Sequence, residues 1–162
     1  FLPAWYSTIY LAPHNYHRVH SPVAGVLKKI SYIPGDLWPV NPGFLKKIPG
    51  LFCSNERLVF EIQTTNYGKI YVAMVGAMNV GRIQTDFAPD LVTNLKERIQ
   101  YYNDLTITVK SVDRPVGQGD ELGTFMLGST VIIVGEKGFQ VPMSLDKKDC
   151  YHPIKLGASL QI

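Results

Sequence analysis

A mainly β chain, folded as a compact antiparallel barrel-sandwich hybrid with at most one or two short helices, is predicted by two features of this sequence. Short stretches rich in Val, Ile and Tyr recur along it, and such residues fit a pleated, half-buried surface. Between them fall dense clusters of Gly, Pro, Asn and Asp, which turn the chain back within a few residues. Many short strands with close turns make an antiparallel sandwich or barrel. At 162 residues, 46% hydrophobic and 18% charged, residues 1–162 form a single domain able to bury a core, and a disordered chain is excluded.

The predicted strands are 7–11, 25–33, 57–64, 69–75, 79–84, 105–112 and 130–134. Turns are expected at Pro34-Gly35-Asp36, Asn41-Pro42-Gly43, Pro49-Gly50, Asn66-Tyr67-Gly68, Gly117-Gln118-Gly119-Asp120 and Glu136-Lys137-Gly138. Residues 90–101, where Leu91, Leu95 and Ile99 line one face, read as a short helix, with a pair of strands as the alternative. The net charge of +3 is spread over short pairs such as Lys28-Lys29, Lys46-Lys47 and Lys147-Lys148. Those pairs read as solvated strand ends, with anionic lipid headgroups as a weaker alternative, and no nucleic-acid partner is expected. Cys53 and Cys150 match no metal-ligand spacing and are expected as unpaired thiols. No apolar run in residues 1–162 reaches the length of a spanning helix, and none of them reads as a signal peptide. The start, Phe1-Leu2-Pro3-Ala4-Trp5, carries no initiator Met and reads as the interior of a longer polypeptide.

A Gly128-Ser129 bond lies inside a run of small and apolar residues, 123–134. Glycine leaves its carbonyl open to attack by the neighbouring hydroxyl, and a neutral histidine is the usual base for activating a serine. His17 and His20 are the candidates, in Tyr16-His17-Arg18-Val19-His20. No third ligand follows them at metal spacing, so no metal is expected. Arg18 can meet a phosphate or carboxylate in two-pronged fashion, or pair internally with Glu56 or Asp36.

Two resemblances add to this. His20-Ser21-Pro22-Val23-Ala24-Gly25-Val26-Leu27, followed by Pro34-Gly35-Asp36, resembles a half-motif of biotinyl, lipoyl and sugar-permease carrier domains, and residues 116–125 echo the second half. The fold so implied is a flattened barrel of two hammerhead-like halves. A non-catalytic carrier or binding module on that fold would need a modifiable lysine at a hairpin tip, and no Met-Lys hairpin is present.

More specifically, residues 10–22, Pro34-Gly35-Asp36-Leu37-Trp38-Pro39-Val40-Asn41, Asn55-Glu56-Arg57 with 75–83, and 119–131 with its Leu127-Gly128-Ser129-Thr130 resemble the phosphatidylserine decarboxylases, in that family's order. The resemblance implies a chain that cuts itself between 128 and 129, leaving fragments 1–128 and 129–162. Ser129 attacks the Gly128 carbonyl, the resulting ester eliminates, and hydrolysis yields a pyruvoyl cofactor and ammonia. It assigns His20 to self-cleavage and His17 to the decarboxylation step, with Thr130 or backbone N–H groups as donors to the oxyanion. The pyruvoyl ketone is the electron sink when carbon dioxide leaves phosphatidylserine to give phosphatidylethanolamine; a related serine phospholipid is the alternative substrate. Trp38, Val40 and Asn41 are candidates for the mouth of the lipid site. Peripheral attachment to an anionic membrane surface, the bacterial inner membrane or an organellar one, is implied, and a homodimer is compatible with it.

Two departures stand out. The family's histidine-orienting aspartate lies upstream of the first motif and has no counterpart in 1–162; Asp36, Asp113 and Asp120 sit in turns that do not match it. Slow self-processing is therefore expected of this chain. Asn15 stands where the family commonly has aspartate.

Overall fold

Strict alternation along the central strands shapes the molecule. The computed structural model describes residues 5–78, 82–91, 93, 107–126, 129–136 and 154–158. In chain order they form β1 (Trp5–Leu11), β2 (Arg18–His20), β3 (Gly25–Ile33), α1 (Pro42–Leu45), α2 (Leu51–Ser54), β4 (Arg57–Gln63), β5 (Lys69–Val75), β6 (Ile83–Gln84), β7 (Thr108–Val116), β8 (Glu121–Phe125) and β9 (Ser129–Gly135). Six strands make one antiparallel sheet in the order β1-β9-β5-β4-β3-β7, and three make a second, β2-β8-β6.

On β4, Leu58, Phe60 and Ile62 point inward and are fully buried; on β5, Ile70, Val72 and Met74 do the same. The period of two makes this one face of the sheet. Val19 of β2, Ile83 of β6, and Leu122 and Phe125 of β8 join them in a single apolar core, which the two sheets share. Burying each such side chain stabilises the fold by about 1.5–3 kcal/mol.

On β3, Leu27 and Ile30 are three apart yet both fully buried. Strand alternation alone forbids this. A bulge between Leu27 and Lys29 shifts the register against both β4 and β7 and restores the inward set. Opposite it Asp113 takes φ +52, a left-handed conformation that Asp tolerates, and its carboxylate accepts from Lys28 Nζ at 2.5 Å.

The mainly β, antiparallel expectation holds, with two short helices among the described residues. The sheets are not closed into a barrel. Strands 25–33 and 69–75 form as predicted. The strand expected at 105–112 instead runs over Thr108–Val116, through Pro115. Proline is tolerated because β7 is the sheet's outer strand and needs no N–H on its free side. The short β2 and β8 have too few apolar residues to announce themselves, and α1 and α2 form in a stretch read as turns. Residues 79–81 and nearly all of the predicted helix 90–101 lie outside the described residues, as do Cys150, Leu127 and Gly128. Cys53 is exposed and free.

One polar hub joins the loops at one end of the large sheet. Asn55, fully buried, donates through Nδ2 to the carbonyls of Trp38 (2.8 Å) and Gly76 (2.9 Å), and its Oδ1 accepts the Trp38 N–H (3.0 Å). Gly35 makes the approach possible: a Cβ there would lie 2.2 Å from the Ser54 carbonyl oxygen. Arg57 locks the same corner from the β4 side, donating to the carbonyls of Cys53 (2.7 Å) and Asn55 (2.8 Å). Asn55→Ala is expected to lower stability by about 2–4 kcal/mol, since it removes three hydrogen bonds to the backbone, one of them the buried bond to the Gly76 carbonyl. A urea titration checks this, with a lower midpoint and an unchanged slope as the expected result.

Candidate active site

The site is assembled where the chain enters β9. Ser129, its first residue, pairs with Leu11 at the end of β1, and Thr130 pairs with Tyr10 on one side and Val75 on the other. Val75 precedes Gly76, whose carbonyl Asn55 holds. A continuous set of backbone and amide hydrogen bonds therefore links Ser129 to the loop that carries Trp38.

The histidine segment lies along β8 of the second sheet, the strand that precedes Ser129 in the chain. The Phe125 N–H donates to the His17 carbonyl at 3.0 Å, so His17 lies beside the end of β8, four residues before Ser129. From there β2 runs antiparallel to β8, with Arg18 opposite Thr124, Val19 opposite Gly123 and, after a bulge, His20 opposite Glu121. His17 backbone thus sits at the Ser129 end and His20 further away.

The two imidazoles are held very differently. His20 Nδ1 lies 2.7 Å from the carbonyl oxygen of Gly119, and Nε2 lies 2.9 Å from the Tyr16 hydroxyl. A carbonyl only accepts, so Nδ1 carries the proton and Nε2 holds the lone pair that receives the Tyr16 O–H. The Tyr16 ring also stacks on His20, centroids 5.7 Å apart and planes within 10°. Gly119 adopts φ +89, open to glycine and strained for other residues. Its turn is tied to the chain after β2: Gly119 N–H donates to the Ser21 carbonyl (2.9 Å) and Ser21 N–H to the Asp120 carbonyl (2.8 Å). The Asp120 carboxylate closes the turn by accepting the Gly117 N–H at 2.6 Å.

By contrast, Nε2 of His17 is buried with no hydrogen-bond partner among the described residues, and so is Oγ1 of Thr130. Buried polar atoms nearly always find partners. Each is therefore a buried polar atom left without a partner among the described residues. Thr130 directly follows position 129 on β9, and a hydroxyl free to donate is chemically suited to a carbonyl oxygen such as a pyruvoyl group carries.

Arg18 pairs with neither Glu56 nor Asp36. Its guanidinium donates to Glu121 at 2.7 Å, because the β2–β8 register brings the two to one exposed face. The hydroxyl of Thr124 and then Arg18 hold the Glu121 carboxyl below the usual carboxylate range, and Glu121 in turn raises Arg18. His14 and Asn15 are exposed; Asn15 Oδ1 accepts the Ala12 N–H at 2.7 Å, closing the turn before Tyr16.

Of the residues expected at the mouth, Trp38 is 44% exposed, and its indole N–H donates to Asp36 at 3.2 Å. Val40 is buried in a small cluster with Leu51 and Ala77. The Asn41 side chain accepts from the N–H groups of Gly43 (3.1 Å) and Phe44 (3.3 Å) at the start of α1. Met78 and Met126, both more than half exposed, add apolar surface on the segments that follow β5 and β8. Sequence reasoning missed Tyr16 and Gly119 as partners of His20. The Gly-x-Gly-Asp turn was visible, but its contact with His20 spans 99 residues. Among the described residues no cluster of three metal-ligating side chains occurs, and no helix is long and apolar enough to cross a membrane.

Comparison with known proteins identifies the family. Residues 1–160 match the family model for phosphatidylserine decarboxylase. A phosphatidylserine decarboxylase proenzyme from Psychromonas ingrahamii is 42% identical over 132 residues, covering 82% of this chain and 44% of the relative. Proenzymes of the same name from Saccharophagus degradans (41% over 138 residues, 85% and 46%) and Myxococcus xanthus (42% over 135 residues, 82% and 44%) are similar to a like degree. The chain thus spans somewhat less than half the length of these curated relatives. With its motifs in family order and a match along nearly its full length, the chain belongs to the phosphatidylserine decarboxylase family.

Proposed function

We propose that this chain carries the self-processing and catalytic centre of a pyruvoyl-dependent phosphatidylserine decarboxylase, which releases carbon dioxide and leaves phosphatidylethanolamine. The observation that carries this reading is a pair of buried polar groups without partners among the described residues, His17 Nε2 on the histidine segment and Thr130 Oγ1 next to Ser129. The word proenzyme in the relatives' names supports a chain that matures by cleavage.

In this reading His20 serves first. Its Nδ1–H is held by the Gly119 carbonyl, which leaves Nε2 as the basic nitrogen and fixes the ring's direction. That is the tautomer and orientation a histidine-paired aspartate would impose. The neutral carbonyl adds no negative charge to support the imidazolium. His20 takes the Ser129 hydroxyl proton, the oxygen attacks the Gly128 carbonyl, and the Thr130 hydroxyl donates to the oxyanion that develops. A pyruvoyl group at position 129 supplies an electron-accepting carbonyl when carbon dioxide leaves. His17, with its buried and unoccupied nitrogen, delivers the proton to the substrate carbon. Exposed Trp38, Met78 and Met126 give the approach an apolar rim suited to a diacyl lipid, which supports peripheral work at a membrane surface.

Three outcomes test this. Ser129→Ala should give a folded, uncut chain with no decarboxylase activity, read by intact mass and by headgroup conversion in lipid extracts. Turnover of phosphatidylserine by that variant would overturn the pyruvoyl reading.

His20→Ala should block cleavage, whereas His17→Ala should still be cut but lose about 10²-fold or more in turnover. Two variants left equally uncut would show that the histidines do not divide the work.

Gly119→Ala should cost about 1–2 kcal/mol, because the left-handed turn strains any residue with a Cβ. It should also slow cleavage, since the carbonyl that orients His20 moves. Denaturation midpoints and cleavage time courses on the same preparation check both halves.

A further inference from the structure

We infer that Tyr16 is a latch on His20: its phenol covers the one ring nitrogen able to accept the serine proton, and it must leave before the chain can cut itself. This rests on the reading of His20 as the base for self-cleavage. The two hydrogen bonds of the ring point to it. On the Nδ1 side the partner is the backbone carbonyl of Gly119, in a turn tied down by the Ser21, Asp120 and Gly117 contacts. On the Nε2 side the partner is a side chain, 51% exposed, on the loop before β2. One side is fixed and the other is free to swing.

A neutral imidazole has one lone pair. While Nε2 accepts the Tyr16 O–H it cannot also accept the Ser129 O–H. Transfer therefore begins only after the phenol has turned out to water, where its hydroxyl is solvated and its exposed ring gives up little buried surface. Then the Ser129 proton passes to Nε2 as the oxygen bonds to the Gly128 carbonyl carbon. The bond from that carbon to the position-129 nitrogen breaks, and the imidazolium returns the proton to the departing amine. No other reactant is consumed. The latched ring is the majority state, so the observed rate is the intrinsic rate multiplied by the unlatched fraction. Tyr16 is thus a positioning residue that sets when cleavage starts and leaves the chemistry to His20 and Ser129.

Tyr16→Phe keeps the ring and its stack and removes only the hydroxyl. Because half of Tyr16 faces solvent, the variant is expected to fold normally. Cleavage of the full chain, followed by gel and intact mass after cell-free synthesis, should run roughly three- to tenfold faster, the value of one ordinary hydrogen bond. In the uncut Ser129→Ala background, imidazole nitrogen spectra should show Nδ1 of His20 still protonated. The Nε2 resonance should move toward the free lone-pair position when Tyr16→Phe is added. Cleavage at the parent rate or slower, or an unmoved Nε2 resonance, overturns the latch. A slower rate in particular would mean that the phenol passes the proton on. If His20→Ala cuts as fast as the parent, the assignment of His20 fails instead, whatever Tyr16→Phe does.

Discussion

The fully buried side chain of Asn55 donates to the carbonyls of Trp38 and Gly76 on different loops and accepts the N–H of Trp38, and the frame that leads to Ser129 is built on that. A buried amide left half-bonded is costly, so the loops must come to it. Gly76, once held, fixes the exit of β5, and β5 sets the register of β9 from Thr130 onward. The glycine at position 35, admitted only because it lacks a Cβ, lets the 36–38 loop close over the same amide. Here the motif residues of one segment build the frame that positions the strand of another.

The second sheet contributes a contrast. Within one short strand and the residue before it, one imidazole has both nitrogens engaged and the other has a buried nitrogen with no partner. The Gly119 carbonyl fixes the tautomer and direction of the His20 ring, while Tyr16 occupies its lone pair; the His17 nitrogen has no such partner among the described residues. The same residue type is thus held in two different ways by its hydrogen bonds alone.

The alternation of Leu58, Phe60 and Ile62 against Ile70, Val72 and Met74 could be read directly, because a half-buried strand must show it. β2 and β8 could not: β2 has three residues, β8 has five, and their pairing spans about a hundred positions, which no local pattern records. For the same reason His17, His20 and Ser129 could be singled out by motif while Tyr16 and Gly119 could not. A hydroxyl four residues before a histidine and a carbonyl 99 residues after it carry no sequence signature of their own. Arg18 failed differently. Its charge called for a carboxylate, but strand register, not sequence distance, decided that this would be Glu121.

β9 lies between β1 and β5, hydrogen-bonded to both, with Val131 and Ile133 in the core. A cut immediately before it would sever the chain at the edge of a strand whose two ladders remain whole. The resulting pieces would stay together as two polypeptides sharing one sheet, and the new end at position 129 would remain where folding had put it. Their association would then depend on concentration, as for any complex, although each molecule began as one chain. Denaturation of the mature form would release a strand that has to find its place again by diffusion. A molecule so cut would assemble readily only before the cut, and afterwards its persistence would be a matter of how slowly β9 is lost.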